Sequence, residues 1–134
     1  MSDEHMRIGE VAARTDLSLR TIRHYEDTGL VLPSARSQGG FRLYTEADVG
    51  RLMVIRRMKP LGFSLEEMRE LLTATDRLDA GGPLSAAEHA ELVERVRGFE
   101  ETVQLRMAEL RTQLARAEEF AATLRGHLTR APVR

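Results

Sequence analysis

Ser18-Leu-Arg-Thr-Ile-Arg-His-Tyr-Glu-Asp-Thr-Gly-Leu30, followed by Val31-Leu-Pro-Ser-Ala-Arg36-Ser-Gln-Gly-Gly40-Phe-Arg-Leu-Tyr44, decides how this chain is read. In the first half Leu19, Ile22 and Tyr25 or Glu26 share one face at helical spacing. Arg20, Thr21, Arg23 and His24 fall on the other. Ser18 is placed to cap the helix start and Gly29 to end it as a C′ residue. In the second half Pro33, the Gly39-Gly40 turn, and Phe41 and Tyr44 near the tip predict a two-stranded hairpin, with Arg36 and Arg42 on its arms. A charged helix face is ordinarily just solvated. Two arginines, a threonine and a histidine beside an arginine-bearing hairpin fit the base edges and phosphates of nucleic acid better.

The candidate DNA-contacting set is therefore Ser18, Arg20, Thr21, Arg23, His24, Tyr25, Arg36, Gly40, Phe41, Arg42 and Tyr44. Tyr25 can pack its ring and present its hydroxyl to a phosphate at once. Tyr44 fits either the core or a phosphate. Phe41 and Leu43 read as packing residues before base wedges.

Outward from this stretch, residues 1–6 are polar and expected to fray. Ile8, Val11 and Ala12 mark a short helix up to Thr15, and Asp16-Leu17-Ser18 is a tight connection. Two short helices so joined are a helix-turn-helix, with Leu17 filling the angle. Thr45-Glu-Ala-Asp48 opens a third helix with Val49, Leu52, Met53 and Ile55 as its apolar positions, closed by Pro60 and Gly62. Ser64-Leu-Glu-Glu67 opens a fourth, with Leu65, Met68, Leu71 and Leu72 inward. Residues 1–75 form the expected winged DNA-binding domain, and 76–84, with Gly81-Gly82-Pro83, the linker.

Ser85-Ala-Ala-Glu88 starts a helix expected to run to about residue 128. Val96, Phe99, Val103, Met107, Leu110, Leu114, Ala117, Ala121, Leu124 and Leu128 recur along it at steps of three and four, a coiled-coil seam. So long a stripe needs a partner helix, most simply a second copy. Antiparallel pairing centred near Leu110 sets large residues against small ones. Residues 129–134 read as a flexible tail.

The 134 residues carry a net charge of −1, so any nucleic-acid reading rests on local clustering. A second basic cluster, Arg56, Arg57 and Lys59, suits a phosphate or the C-terminal end of its helix equally. There is no cysteine, which excludes disulfides, zinc-thiolate sites and thiol redox chemistry. With no membrane-length apolar run and no signal-peptide pattern, the expectation is a cytoplasmic protein without membrane association.

Ile8-Gly-Glu-Val-Ala12, Leu17-Ser-Leu-Arg-Thr-Ile-Arg-His-Tyr-Glu26, Gly29-Leu30, Gly40-Phe-Arg-Leu-Tyr44 and Leu61-Gly-Phe-Ser-Leu-Glu-Glu67 resemble the MerR family of bacterial transcription regulators. The resemblance runs almost continuously from residue 7 to about 74. It implies a mainly α fold: a winged helix-turn-helix, then a long helix forming an antiparallel coiled-coil homodimer. It also implies binding to a pseudo-palindromic double-stranded promoter element, distortion of the promoter spacer, and RNA polymerase as a partner. By the family pattern the helix from Leu19 to Thr28 enters the major groove and the hairpin meets the flanking backbone.

This chain lacks the cysteines of the family's metal- and redox-sensing members, and only Thr129 to Arg134 follows the long helix. No cofactor is expected. A small-molecule effector of unknown identity is left open, with Phe99, Met107 and Phe120 as candidate lining residues and the angle between the long helix and the N-terminal domain as its expected place. His89 and His127 lie near opposite ends of the long helix, where surface histidines are commoner than a metal site. The competing reading is a coiled-coil adaptor whose N-terminal domain binds protein; the arginine face argues against it, because a protein-binding groove would expose aliphatics there. An enzyme is not expected, since no nucleophile, phosphate loop or metal motif is present.

Overall fold

The computed structural model describes residues 5–33, 35–130 and 132. Positions 131, 133 and 134 of the expected tail, and residues 1–4 of the stretch expected to fray, lie outside the described residues. Strand β1 (Met6–Arg7) leads into helices α1 (Ile8–Thr15) and α2 (Leu19–Asp27); strands β2 (Ala35–Arg36) and β3 (Arg42–Tyr44) follow. Helices α3 (Glu46–Met58), α4 (Leu65–Asp79) and α5 (Ala86–Thr129) complete the chain, with one 3-10 turn at Lys59–Leu61.

The helix starts follow the local chemistry. Thr45, Ser64 and Ser85 each accept the backbone N–H three residues on, and Asp48, Glu67 and Glu88 return the bond to the cap. At the end of α2, Gly29 (φ 81°) takes the left-handed conformation, its N–H donates to Glu26 O at 3.0 Å, and Leu30 N–H donates to Tyr25 O at 3.1 Å. This pair of bonds is a Schellman cap, and Leu30 and Tyr25 pack in the core beneath it. Asp16 turns the chain between α1 and α2 at φ 59°, a conformation Asp tolerates better than most residues.

Met6 corrects the expectation of a frayed start. It pairs with Tyr44, and Arg7 with Leu43, so the sheet has three antiparallel strands in the order β1-β3-β2 rather than two. Met6 is inward and only 5% exposed, which anchors the strand hydrophobically. One core joins α1, α2, the sheet, α3 and α4 through Val11, Ile22, Tyr44, Leu52, Ile55 and Met68.

Helix α4 also runs further than the sequence suggested. The stretch 76–79, expected as linker, is its last turn. Asp76 accepts from Arg51 Nη1 at 2.7 and 2.8 Å, and the helix stops just before Gly81 (φ 66°).

The largest difference lies along α5. Its first half leans on α4: Phe99 and Val103 pack against the N-terminal core, the Phe63 and Phe99 rings lie 5.8 Å apart, and Arg106 Nε donates to Leu61 O at 3.0 Å. These two seam residues are half-buried within the chain. Beyond them Leu110, Leu114, Phe120, Leu124 and Leu128 are exposed. Among the described residues no helix is long and apolar enough to cross a membrane.

Candidate nucleic-acid interface

Helix α2 turns Ile22, Tyr25 and Glu26 inward and leaves Arg20, Arg23 and His24 exposed, with Thr21 half-buried. Leu19 departs from the inward face and is 40% exposed, because Leu17 already packs against the core at the turn between α1 and α2. The Ser18 hydroxyl accepts Thr21 N–H at 3.0 Å and donates to Thr21 Oγ1 at 2.9 Å. Ser18 therefore fixes the start of the helix, and its side-chain bonds are local.

Two arginines behind α2 hold its far end. Arg69 Nη2 donates to Thr28 O at 2.8 Å, and Arg51 Nε to Leu30 O at 2.6 Å. Charge-assisted bonds to the carbonyls at a helix C-terminus suit its negative dipole end. The exposed face of α2 is thus presented from a braced frame.

The wing meets this face in a shallow concavity of about 170 Å³ lined by Arg7, Ile8, Arg23, Arg36, Gly40, Phe41 and Arg42. β1, α2 and the two hairpin strands each bring one arginine here, four in all, and these converge where β1, α2 and the hairpin join. The Arg7 guanidinium stacks 4.5 Å above the Phe41 ring, and Arg36 Nη1 donates to Gly40 O at 3.1 Å. Phe41 is 57% exposed, so it is a platform at the wing tip and not the packing residue first expected. Gly40 (φ 82°) makes the turn, and a Cβ on Gly39 would sit 3.2 Å from the Phe41 ring. Among the described residues Arg7, Arg20, Arg23 and Arg36 are in no ion pair, whereas Arg14 and Arg51 are held by Glu46 and Asp76.

Behind the concavity lies a buried polar triad that the sequence reading missed. The Tyr44 hydroxyl donates to Glu26, and Arg42 Nε is ion-paired with the same carboxylate, without hydrogen-bond alignment. Tyr44 is fully buried and Glu26 is 9% exposed. Tyr44 is thus a core residue with its hydroxyl engaged, which corrects its place among the DNA contacts. Tyr25, 4% exposed, is likewise mostly core. Burial pushes both phenols up, the Tyr44 phenol further because it donates to Glu26, so both are neutral near pH 7. One signal was available: Glu26 fell on the apolar face of α2, where a carboxylate requires buried partners. Arg7 carried no such signal, because only the unanticipated strand β1 brings it to the wing.

Arg56 and Arg57 are exposed in the last turn of α3, next to Lys59. On α5, His127 Nδ1 lies 2.9 Å from Thr123 O. Among the described residues no three His, Asp or Glu side chains are grouped to hold a metal.

Comparison with known proteins agrees with this geometry. A family described as MerR HTH family regulatory protein matches residues 6–75, and one described as MerR, DNA binding matches residues 49–127. The HTH-type transcriptional regulator ZntR of Escherichia coli K12 is 41% identical over 106 residues, 79% of this chain and 71% of that protein. The HTH-type transcriptional regulator YfmP of Bacillus subtilis is 33% identical over 126 residues, 92% of this chain and 90% of that one. The crystal structure of HiNmlR, a MerR family regulator lacking the sensor domain, bound to promoter DNA, superposes with a TM-score of 0.70 over 92% of both chains. At 21% identity that likeness speaks for the fold.

Proposed function

The chain belongs to the MerR family and is a DNA-binding transcriptional regulator, and from that premise we propose that it binds a pseudo-palindromic promoter element as a homodimer and distorts the spacer between the polymerase contacts. The observation that carries this reading is the arginine-lined concavity continuous with the exposed face of α2. Arg20, Thr21, Arg23 and His24 enter the major groove and read base edges; Arg7, Arg36, Arg42 and the Gly40-Phe41 tip hold the flanking backbone. Residues up to about 75 form the DNA-binding unit, and the linker narrows to the stretch between Asp79 and Ala86.

The homodimer rests on the seam from Leu110 to Leu128, whose large apolar side chains are exposed among the described residues. Antiparallel pairing sets two DNA-binding units apart for two half-sites, and RNA polymerase engages the distorted promoter in the cytoplasm of a bacterial cell. No cofactor or catalytic step is needed. Any effector is bound through groups other than thiols, because the chain has no cysteine.

The deciding experiment selects genomic fragments retained by the purified protein and titrates salt on the enriched sequence. An inverted repeat bound with a steep salt dependence, weakened by Arg23→Ala, is expected. Retention independent of sequence and salt would favour the protein-binding adaptor.

A further inference from the structure

Leu19 is the first residue of α2 and is 40% exposed, outside the core that Ile22, Tyr25 and Leu17 join. Among the described residues of the N-terminal domain, the large apolar side chains left exposed are Leu19, Leu32 and Phe41. Leu32 lies beyond the end of the helix, and Phe41 carries the Arg7 guanidinium on its ring. Leu19 alone stands on the helix that presents Arg20, Arg23 and His24.

The chemistry at the start of α2 gives that exposure a meaning. The Ser18 hydroxyl donates to Thr21 Oγ1 at 2.9 Å and accepts Thr21 N–H at 3.0 Å. The hydroxyls of the first turn are thus engaged with one another, and Leu19 is the side chain between them that is offered outward. Helical spacing sets Leu19 one turn before Arg23 on the same stripe, and Arg23 lines the arginine concavity at the wing. The leucine therefore adjoins the basic surface. A single leucine gives a protein partner too little apolar area to dock on. It does suit one methyl group, and in the major groove one base carries a methyl: thymine, at C5. Helix-turn-helix domains bring the N-terminal residues of the second helix against base edges, which is where Leu19 stands.

We propose that Leu19 is a specificity-determining residue that packs on the C5 methyl of one thymine in each half-site, next to the base pair met by Arg23. This rests on the reading of α2 as the helix that enters the major groove, and it adds the base and the group on that base that Leu19 selects.

The test takes the duplex enriched from genomic fragments and replaces its thymines by uracil, one symmetry-related pair at a time. Uracil keeps the base pair and every hydrogen-bonding group and removes only the methyl. Affinity is measured for the full chain and for Leu19→Ala. At one pair the parent is expected to lose about tenfold, for two buried methyl groups, and Leu19→Ala to lose nothing further. On the unmodified duplex Leu19→Ala should itself lose about as much. Its affinity for random duplex, its salt slope and its melting temperature should stay level, because the side chain is uncharged and exposed. Uracil effects of equal size in the two proteins at every position, no uracil effect at all, or an equal loss by Leu19→Ala on random duplex would overturn the proposal and leave the regulator reading standing. Failure to enrich any duplex would overturn both.

Discussion

Glu26 and Arg42 are ion-paired across two elements, the carboxylate on α2 and the guanidinium on the wing strand β3. The Tyr44 hydroxyl donates to the same carboxylate from two residues along that strand. The wing is thereby tied to the helix that carries Arg20 and Arg23. A buried carboxylate is costly unless paired and hydrogen-bonded, and here both partners come from the segment it must position.

Glu26→Ala is expected to destabilise the fold by about 1–3 kcal/mol, because it leaves the Tyr44 hydroxyl buried without an acceptor and the Arg42 guanidinium without its counter-charge. Urea unfolding measures this. In a double-mutant cycle with Arg42→Ala the two losses should be less than additive. Strict additivity would mean that the pair is not coupled.

Arg23→Ala is expected to weaken specific DNA binding by about 1–3 kcal/mol and relax preference at one position per half-site, as for an arginine that reads a base. Competition between the selected site and random duplex distinguishes the roles. Equal loss on both would move Arg23 to the phosphate group of contacts.

Arg7→Ala should lower affinity for every sequence and reduce the slope of log affinity against log salt by about one phosphate contact. Phe41→Ala should reproduce part of that loss, because the ring holds the Arg7 guanidinium 4.5 Å away in place. Wild-type slopes in both variants would remove β1 from the interface.

The dimer axis is predicted to lie near Ala117, not Leu110. Phe99 and Val103 are already half-buried against the N-terminal core, and the exposed seam from Leu110 to Leu124 is centred about seven residues further on than Leu110. Leu110 of one copy then meets Leu124 of the other, and Leu114 meets Phe120 and Ala121. In this cysteine-free chain Ala117→Cys should oxidise to a covalent dimer, since residues on the axis can reach the roughly 5.5 Å Cα separation of a disulfide. Leu110→Cys should crosslink to Leu124→Cys in a mixture and poorly to itself. The opposite pattern would restore the axis at Leu110.

Arg14 donates to both Glu46 oxygens, at 2.6 and 2.8 Å, and holds that carboxyl below its usual 4.5. Its pKa is lower folded than unfolded, so the pair stabilises the fold above pH 4.5 and is lost as pH falls through the folded value. Glu46→Gln should be slightly less stable than the parent at pH 7 and equal to it at low pH; both groups are exposed, so the effect is small. Thermal unfolding at the two pH values checks it. A difference that persists in acid would assign the loss to something other than this ion pair.

What the sequence by itself determined was local. Thr45, Ser64 and Ser85, each with a carboxylate three residues on, mark helix starts through bonds that span a single turn. The spacing of Ile22 and Tyr25 marks the inward face of α2, and the motifs around His24, Phe41 and Phe63 carry the family. Tertiary structure decided whatever depends on residues distant in the chain. Met6 looked like part of a loose end until Tyr44 paired with it. Arg7 joined the interface only through that pairing, and Tyr44 left it because Glu26 takes up its hydroxyl. The seam of α5 read as continuous because periodicity records which residues share a face, not what covers them. Only the fold shows that Phe63 covers Phe99 while Leu110 to Leu128 are left bare.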